Sequence, residues 1–244
     1  PGFVDCHTHL VFGGSRAQEY AARMTMNAAE VRDLGIPTGI QATVDMTRAE
    51  SRDSLLAGAH RRLSRMFQHG TTTVESKSGY GLTVEKEMEQ LRVNRELDAV
   101  QPVDVISTFL GAHDFPRELA RESYMDLLLE EMIPRVAEEG LAGFCDVYCD
   151  DGYYTVEETR RILEAGLQYG LLAKIHVDAY ADIGGADLPL AALSREVMRS
   201  GRAQRDCDFQ IARNGNGLRL RAECHLLRDT DDRVLGTVLH IRDV

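Results

Sequence analysis

Apolar and polar positions follow two alternating periods along the first three quarters of the chain. Short apolar or β-branched runs over 2–9, 70–75, 103–110, 144–149 and 171–176 have the length of buried strands. Between them the spacing lengthens to that of a helix. Leu55, Leu56, Ala59, Leu63, Met66 and Phe67 share one face over 51–69, and Val84, Met88 and Leu91 mark a stripe on a helix over 85–97. The clearest helix covers 124–139, where Met125, Leu128, Leu129, Met132, Ile133 and Val136 keep an i, i+3, i+4, i+7 spacing. Thr155-Val-Glu-Glu158 has the form of a capping box and predicts a helix reaching about Tyr169. Strands alternating with helices predict a parallel sheet, and the leading architecture is an α/β fold, a partial (β/α)8 TIM barrel of about five strand–helix units.

The texture changes after Leu188. Pro189 breaks the pattern, a short helix is expected over 190–200, and three strand-like runs follow. Cys207, Phe209 and Ile211 alternate with Asp208 and Gln210, then Leu218, Leu220 and Ala222 with Arg219 and Arg221, and 234–241 closes the chain. The turn-rich connectors at 214–217 and 229–232 are of hairpin length, so these runs predict a small antiparallel β meander. The expected division is 1–188 and 189–244.

Composition narrows the partners. Lys and Arg number 28 against 39 Asp and Glu, a net charge of −11 that would repel nucleic acid and anionic membrane surfaces. Hydrophobic residues at 43% and charged residues at 27% are those of a globular chain and exclude a disordered one. No apolar run approaches a membrane span and no export leader precedes the first strand, so a cytoplasmic setting is expected. Cys6, Cys145, Cys149, Cys207 and Cys224 are odd in number, scattered and without a paired CxxC pattern, as reduced thiols are. The chain opens on Pro1 rather than Met and reads as an excerpt of something longer.

The densest chemistry is Asp5-Cys-His7-Thr-His9. Side chains two apart on a strand share a face, so His7 and His9 can hold one metal ion where barrel active sites are built. His176, in Lys174-Ile-His-Val-Asp178, ends another strand and supplies a third imidazole. Such a set suits Zn, Fe or Mn and leaves a coordination position open. Asp178, two residues on, can orient a ligand from behind. A bare His-x-His pair also occurs as two turn histidines, and a lone strand-end histidine as a hydrogen-bonded core residue.

These residues carry a family resemblance. The segment 1–16, with Gly13-Gly-Ser-Arg16 after the histidine pair, resembles the start of the metal-dependent amidohydrolase barrel of the imidazolonepropionase family. Glu75-Ser-Lys-Ser-Gly-Tyr-Gly-Leu82, Thr108-Phe-Leu-Gly-Ala-His113, Asp146-Val-Tyr-Cys-Asp-Asp-Gly152 and Gly184-Gly-Ala186 match in the same order. The resemblance implies that His7, His9 and His176 bind one zinc or iron ion, and that Arg16, Tyr80 and His113 contact the small-molecule substrate 4-imidazolone-5-propanoate. It implies hydrolytic opening of the five-membered ring to N-formimidoyl-L-glutamate in histidine degradation, with His113 also catalytic. An Arg fork and a Tyr hydroxyl suit a propanoate carboxylate. Gly79 and Gly81 would let the loop backbone approach a small ligand.

The matching pattern stops near Leu188. The last-strand Asp that the family uses has no counterpart here, and acid–base help of that kind is worth roughly 10²–10⁴ in rate. Metal binding with little turnover is therefore expected. Five of eight strands leave open edges, which a second copy or a complementing chain would cover. The segment 194–244, ending Val238-Leu-His-Ile-Arg-Asp-Val244, resembles the second half of a PAS domain. It implies an alternative, a non-enzymatic signalling or interaction protein carrying a barrel relic.

Overall fold

A computed structural model of the chain describes residues 2–185, 204–213, 216–228 and 234–243, with side chains over the first of these ranges. The parallel strands are β1 (Phe3–Thr8), β2 (Thr71–Lys77), β3 (Asp104–Ala112), β4 (Phe144–Cys149) and the short β5 (Leu172–Ala173) and β6 (His176–Val177). They lie in the order β1-β2-β3-β4-β5, with β6 also on β4, every pairing parallel. The predicted partial barrel is thus the observed architecture. One strand differs from expectation: 171–176 is interrupted between β5 and β6, at the point where the Lys174 side chain turns toward Glu75.

Helices return the chain from each strand to the next. Three of them, α1 (Ala17–Arg23), α2 (Ala28–Asp33) and α3 (Gly39–Ala49), fill a stretch whose periodicity gave no element. They are short or start on weak signals, although Asn27 and Glu30 form a full capping box on α2. Next comes α4 (Arg52–Gln68), where Ser51 Oγ accepts from the Ser54 N–H, and α5 (Val84–Val100) is capped by Thr83 in the same way. The predicted helix over 124–139 is continuous but not uniform: α6 (Arg121–Leu127) passes through a π turn, Leu128–Met132, into α7 (Ile133–Glu138). Pro134 explains the wider turn. It has no N–H to donate and its ring would crowd the carbonyl one α-helical turn back, so the helix loosens just before it. Finally α8 (Val156–Gln168) starts on the predicted Thr155/Glu158 capping box.

The side of the sheet facing the helices holds the core. Phe109, Met88, Leu91, Tyr124, Met125, Leu128, Met132 and Cys145 pack in one cluster. Leu10, Val11, Leu55, Leu63, Val74, Val93 and Leu97 pack in a second, around β2, α4 and α5. No helix among the described residues is long and apolar enough to cross a membrane.

The C-terminal strands β7 (Gln204–Arg213), β8 (Asn216–Arg228) and β9 (Val234–Asp243) form an antiparallel sheet in the order β7-β8-β9, as predicted. Phe209 stands opposite Leu220 and Cys224 opposite Leu239. The helix expected over 190–200, the division near 188 and the connectors at 214–217 and 229–232 lie wholly or partly outside the described residues.

Candidate active site

Alternation along each strand sends every second side chain to the inside of the curled sheet. On β2 these are Glu75 and Lys77, on β4 Asp146 and Tyr148, and beyond β5 Lys174 and His176. They meet in one buried network. Lys77 Nζ lies 2.8 Å from Glu75 Oε1 and 2.7 Å from Asp146 Oδ2, with all three side chains almost wholly buried. Glu75 Oε1 also accepts from Lys174 Nζ and from Thr108 Oγ1, each at 2.5 Å. Burial pushes the Glu75 pKa up, but Lys174, Lys77 and Thr108 outweigh it and leave the pKa below its usual value. The same contest, won by His176 and Lys77, brings Asp146 down to about 2.

The imidazoles sit above this network at the C-terminal strand ends. His7 Nε2 and His176 Nε2 are 3.0 Å apart although 169 positions separate them in the chain. Two bare lone pairs cannot face each other at that distance, so a proton or a cation must lie between them. On its other side, His176 Nδ1 is 3.0 Å from Asp146 Oδ2, an ion-pair approach without hydrogen-bond alignment. His9 follows β1 and stacks on His113 with ring centroids 4.9 Å apart and an interplanar angle of 16°. Tyr80 closes the group, 4.7 Å from the His9 ring and 5.2 Å from His113.

Burial favours the neutral form of the His7, His9 and His113 rings. Burial, then the neighbouring His176 and Lys77, lowers the His7 pKa. Burial, then His113, His176 and His7, takes His9 well below its ordinary value. Burial brings His113 down to about 4 despite an opposing hydrogen bond to Gly79. That bond joins His113 Nδ1 to the Gly79 carbonyl at 3.0 Å. A carbonyl oxygen only accepts, so Nδ1 carries the proton and Nε2 is left as an acceptor facing the site. Burial raises the Tyr80 pKa, so its hydroxyl remains a donor.

The loop 78–82 needs its glycines. Gly79 has φ +109°, and a Cβ there would sit 2.8 Å from the Leu110 carbonyl oxygen and 2.9 Å from His113 Nδ1.

Arg16 and Asp178 are both engaged locally. Arg16 Nε bonds Glu19 Oε2 at 2.5 Å, leaving the outer guanidinium nitrogens for another partner. Asp178, at φ +50°, accepts at Oδ1 from the N–H groups of Ile183 and Gly185. Asp146 is a carboxylate placed against His176. Sequence reading missed it, as it missed Glu75, Lys77 and Lys174 as a group; the i, i+2 spacing of Glu75 and Lys77 on a strand was the available signal. It also missed Asp150, buried, whose Oδ2 accepts from the N–H groups of Ala179 and Tyr180 at 2.8 and 2.9 Å and ties β4 to the loop after β6.

His7 and His176 suit a metal ion in donor type: imidazoles with Nε2 atoms turned to one point, beside a carboxylate. His9 adds a buried Nδ1 that takes no hydrogen bond. The set is incomplete as it stands, since among the described residues no group of three or more His, Cys, Asp or Glu donors converges at ligand distance. The His7 and His9 ring centroids are 6.2 Å apart.

Comparisons with known proteins add to this geometry. No family model matches the chain. The protein named imidazolonepropionase from Geobacillus sp. (strain WCH70) is 48% identical over 190 residues, 77% of this chain and 45% of its own length. That of Haloarcula marismortui is 44% identical over 189 residues, covering 77% of this chain and 44% of the relative. That of Alkaliphilus oremlandii is 40% identical over 232 residues, 93% of this chain and 52% of the relative, so its match runs past the first 188 positions. The chain is therefore similar, over most of its own residues, to proteins named imidazolonepropionase, and spans about half the length of those curated relatives.

Proposed function

We propose that this chain carries the metal- and substrate-binding half of an imidazolonepropionase-type hydrolase, which opens the ring of 4-imidazolone-5-propanoate to N-formimidoyl-L-glutamate. The observation that carries the reading is the meeting of His7 and His176 at 3.0 Å, ringed by His9, Tyr80 and His113. The relatives compared above bear one name, which disfavours the signalling alternative. In the reaction, water adds to the ring carbonyl carbon, the adjacent C–N bond breaks, and a proton passes to the leaving nitrogen.

His7, His9 and His176 would hold a zinc or iron ion. Such an ion, when bound, polarises the ring carbonyl and acidifies the attacking water. The other steps fall to side chains. The outer nitrogens of Arg16 grip the propanoate, the Tyr80 hydroxyl donates to the substrate, and His113 Nε2 accepts a hydrogen bond or a proton from the ring. Asp178 shapes the loop after His176, and Lys77 keeps Asp146 ionised behind that imidazole.

The reading further includes a cytoplasmic setting, and a second copy or complementing chain over the open strand edges, where Phe3 and Val4 of β1 are exposed. The meander of β7, β8 and β9 is compatible with the PAS-like resemblance of 194–244. Metal analysis of the purified chain tests the core of the proposal. About one zinc or iron per chain is expected, lost in His7→Ala and His176→Ala, and a folded metal-free protein would overturn it. Assay on imidazolone propanoate then separates binding from turnover, which is expected to be weak.

A further inference from the structure

We propose that Glu87 is the positioning residue of this site: its carboxylate fixes the 78–82 loop and, through the Gly79 carbonyl, the orientation and tautomer of the His113 ring. The inference rests on the functional reading only in taking His113 and Tyr80 as substrate contacts.

Glu87 lies in the first turn of α5 and is completely buried, without a cation bonded to it among the described residues. The donors to its carboxylate come from the loop in front of it. Oε2 accepts from the Gly79 N–H at 2.9 Å, and Oε1 accepts from the N–H groups of Gly81 and Leu82 at 2.8 and 2.9 Å. The Ser78 hydroxyl completes the set. Burial raises the pKa of this carboxyl above its usual value, and the four donors and the first turn of the helix pull the other way without cancelling it. A buried carboxylate is an expensive way to stabilise a helix–loop junction that an apolar side chain could pack.

What it holds is a loop that would not rest there unaided. Leu82 is a non-glycine residue at φ +51°, and Gly79 stands at φ +109° with no room for a side chain. Gly79 is pinned on both sides of its Cα: its N–H bonds to Glu87 and its carbonyl to His113 Nδ1. Tyr80 is the next residue and borders both His9 and His113. Glu87 therefore sets where the tyrosine hydroxyl and the free Nε2 of His113 point, without touching either.

Glu87→Gln tests this, because the amide presents two hydrogens where the loop also presents donors. In the chain labelled with [15N]histidine, two-bond 1H–15N correlations should give the Nδ1–H tautomer for His113 in the wild type. A mixture of tautomers is expected in Glu87→Gln. Binding of 3-(imidazol-4-yl)propanoate, used as the probe and followed by calorimetry, should weaken about tenfold or more. Leu97→Ala, on the same helix but in the second core cluster, should lower stability and leave the His113 tautomer unchanged. If Glu87→Gln does not fold, Glu87→Asp is read in its place, with the same loss of a single tautomer expected. An unchanged His113 tautomer in the readable variant, or the same change in Leu97→Ala, overturns the proposal. A wild-type chain that fails to bind the probe overturns the functional reading instead, and the tautomer still decides the role of Glu87.

Discussion

On β2, Val74 turns toward the helices and is fully buried among Leu55, Leu63 and Leu97, whereas its neighbours Glu75 and Lys77 turn the other way and pair with Lys174 and Asp146. The same division recurs on β4, where Cys145 and Val147 join the core and Asp146 faces inward. The helix side depends on volume and area, which are non-directional, so similar side chains can replace one another there. The inner side depends on charges taken out of water, each needing a named partner at hydrogen-bond distance. Shifting β2 by one residue would exchange the two faces, which pins its register. The difference separates what makes the chain fold from what makes the fold useful.

Variants on the two faces sharpen or break that comparison. Phe109→Ala empties the helix side and should cost about 3–5 kcal/mol in denaturant unfolding, with metal binding per folded chain unchanged. Asp146→Leu leaves Lys77 with Glu75 alone and should cost about 3 kcal/mol, together with weaker metal binding. The double variant Lys77→Met/Asp146→Leu should return to within about 1 kcal/mol of the wild type while metal affinity stays low. A double variant as unstable as the single one would show that the inner face also builds stability, and the comparison would fail.

Acid should act through the inner face and the site above it. His113 titrates near pH 4 when folded, against an ordinary 6.5, so the unfolded chain binds the extra proton first as pH falls. Stability contributed by this neutral ring is intact above 6.5 and declines between 6.5 and about 4. Unfolding free energy followed over that window should fall less steeply in His113→Gln, with His9 and His7 supplying slope that remains. Asp146, held down to about 2, acts in the opposite sense of charge: its contribution is present above its ordinary value and is lost as pH drops toward 2. Phe109→Ala should lower the whole profile without changing its shape. The smallest effect is on the helix side: Thr155→Ala removes half of the α8 capping box and should cost about 1 kcal/mol, with no change in tautomer or metal content.

Much of this was readable from the chain itself, and for a local reason. Strand and helix periods, the Thr155 capping box and the His-x-His pair are written within a few residues of one another, so β1 to β4, α4, α5 and α8 emerge where the pattern puts them. The short α1 to α3 and the π turn before Pro134 escaped, because stripes that brief carry little period. The meeting of His7 with His176, the placing of Asp146 behind that ring and the reach of Glu87 across to Gly79 were decided by tertiary structure alone. Each joins residues on different elements, through a sheet curl and a loop path that no local pattern contains. The sequence by itself determined which side chains alternate inward and which groups could do chemistry; only the folded sheet decided which of them touch, because contact across a curl depends on the sum of every strand's twist and register between them.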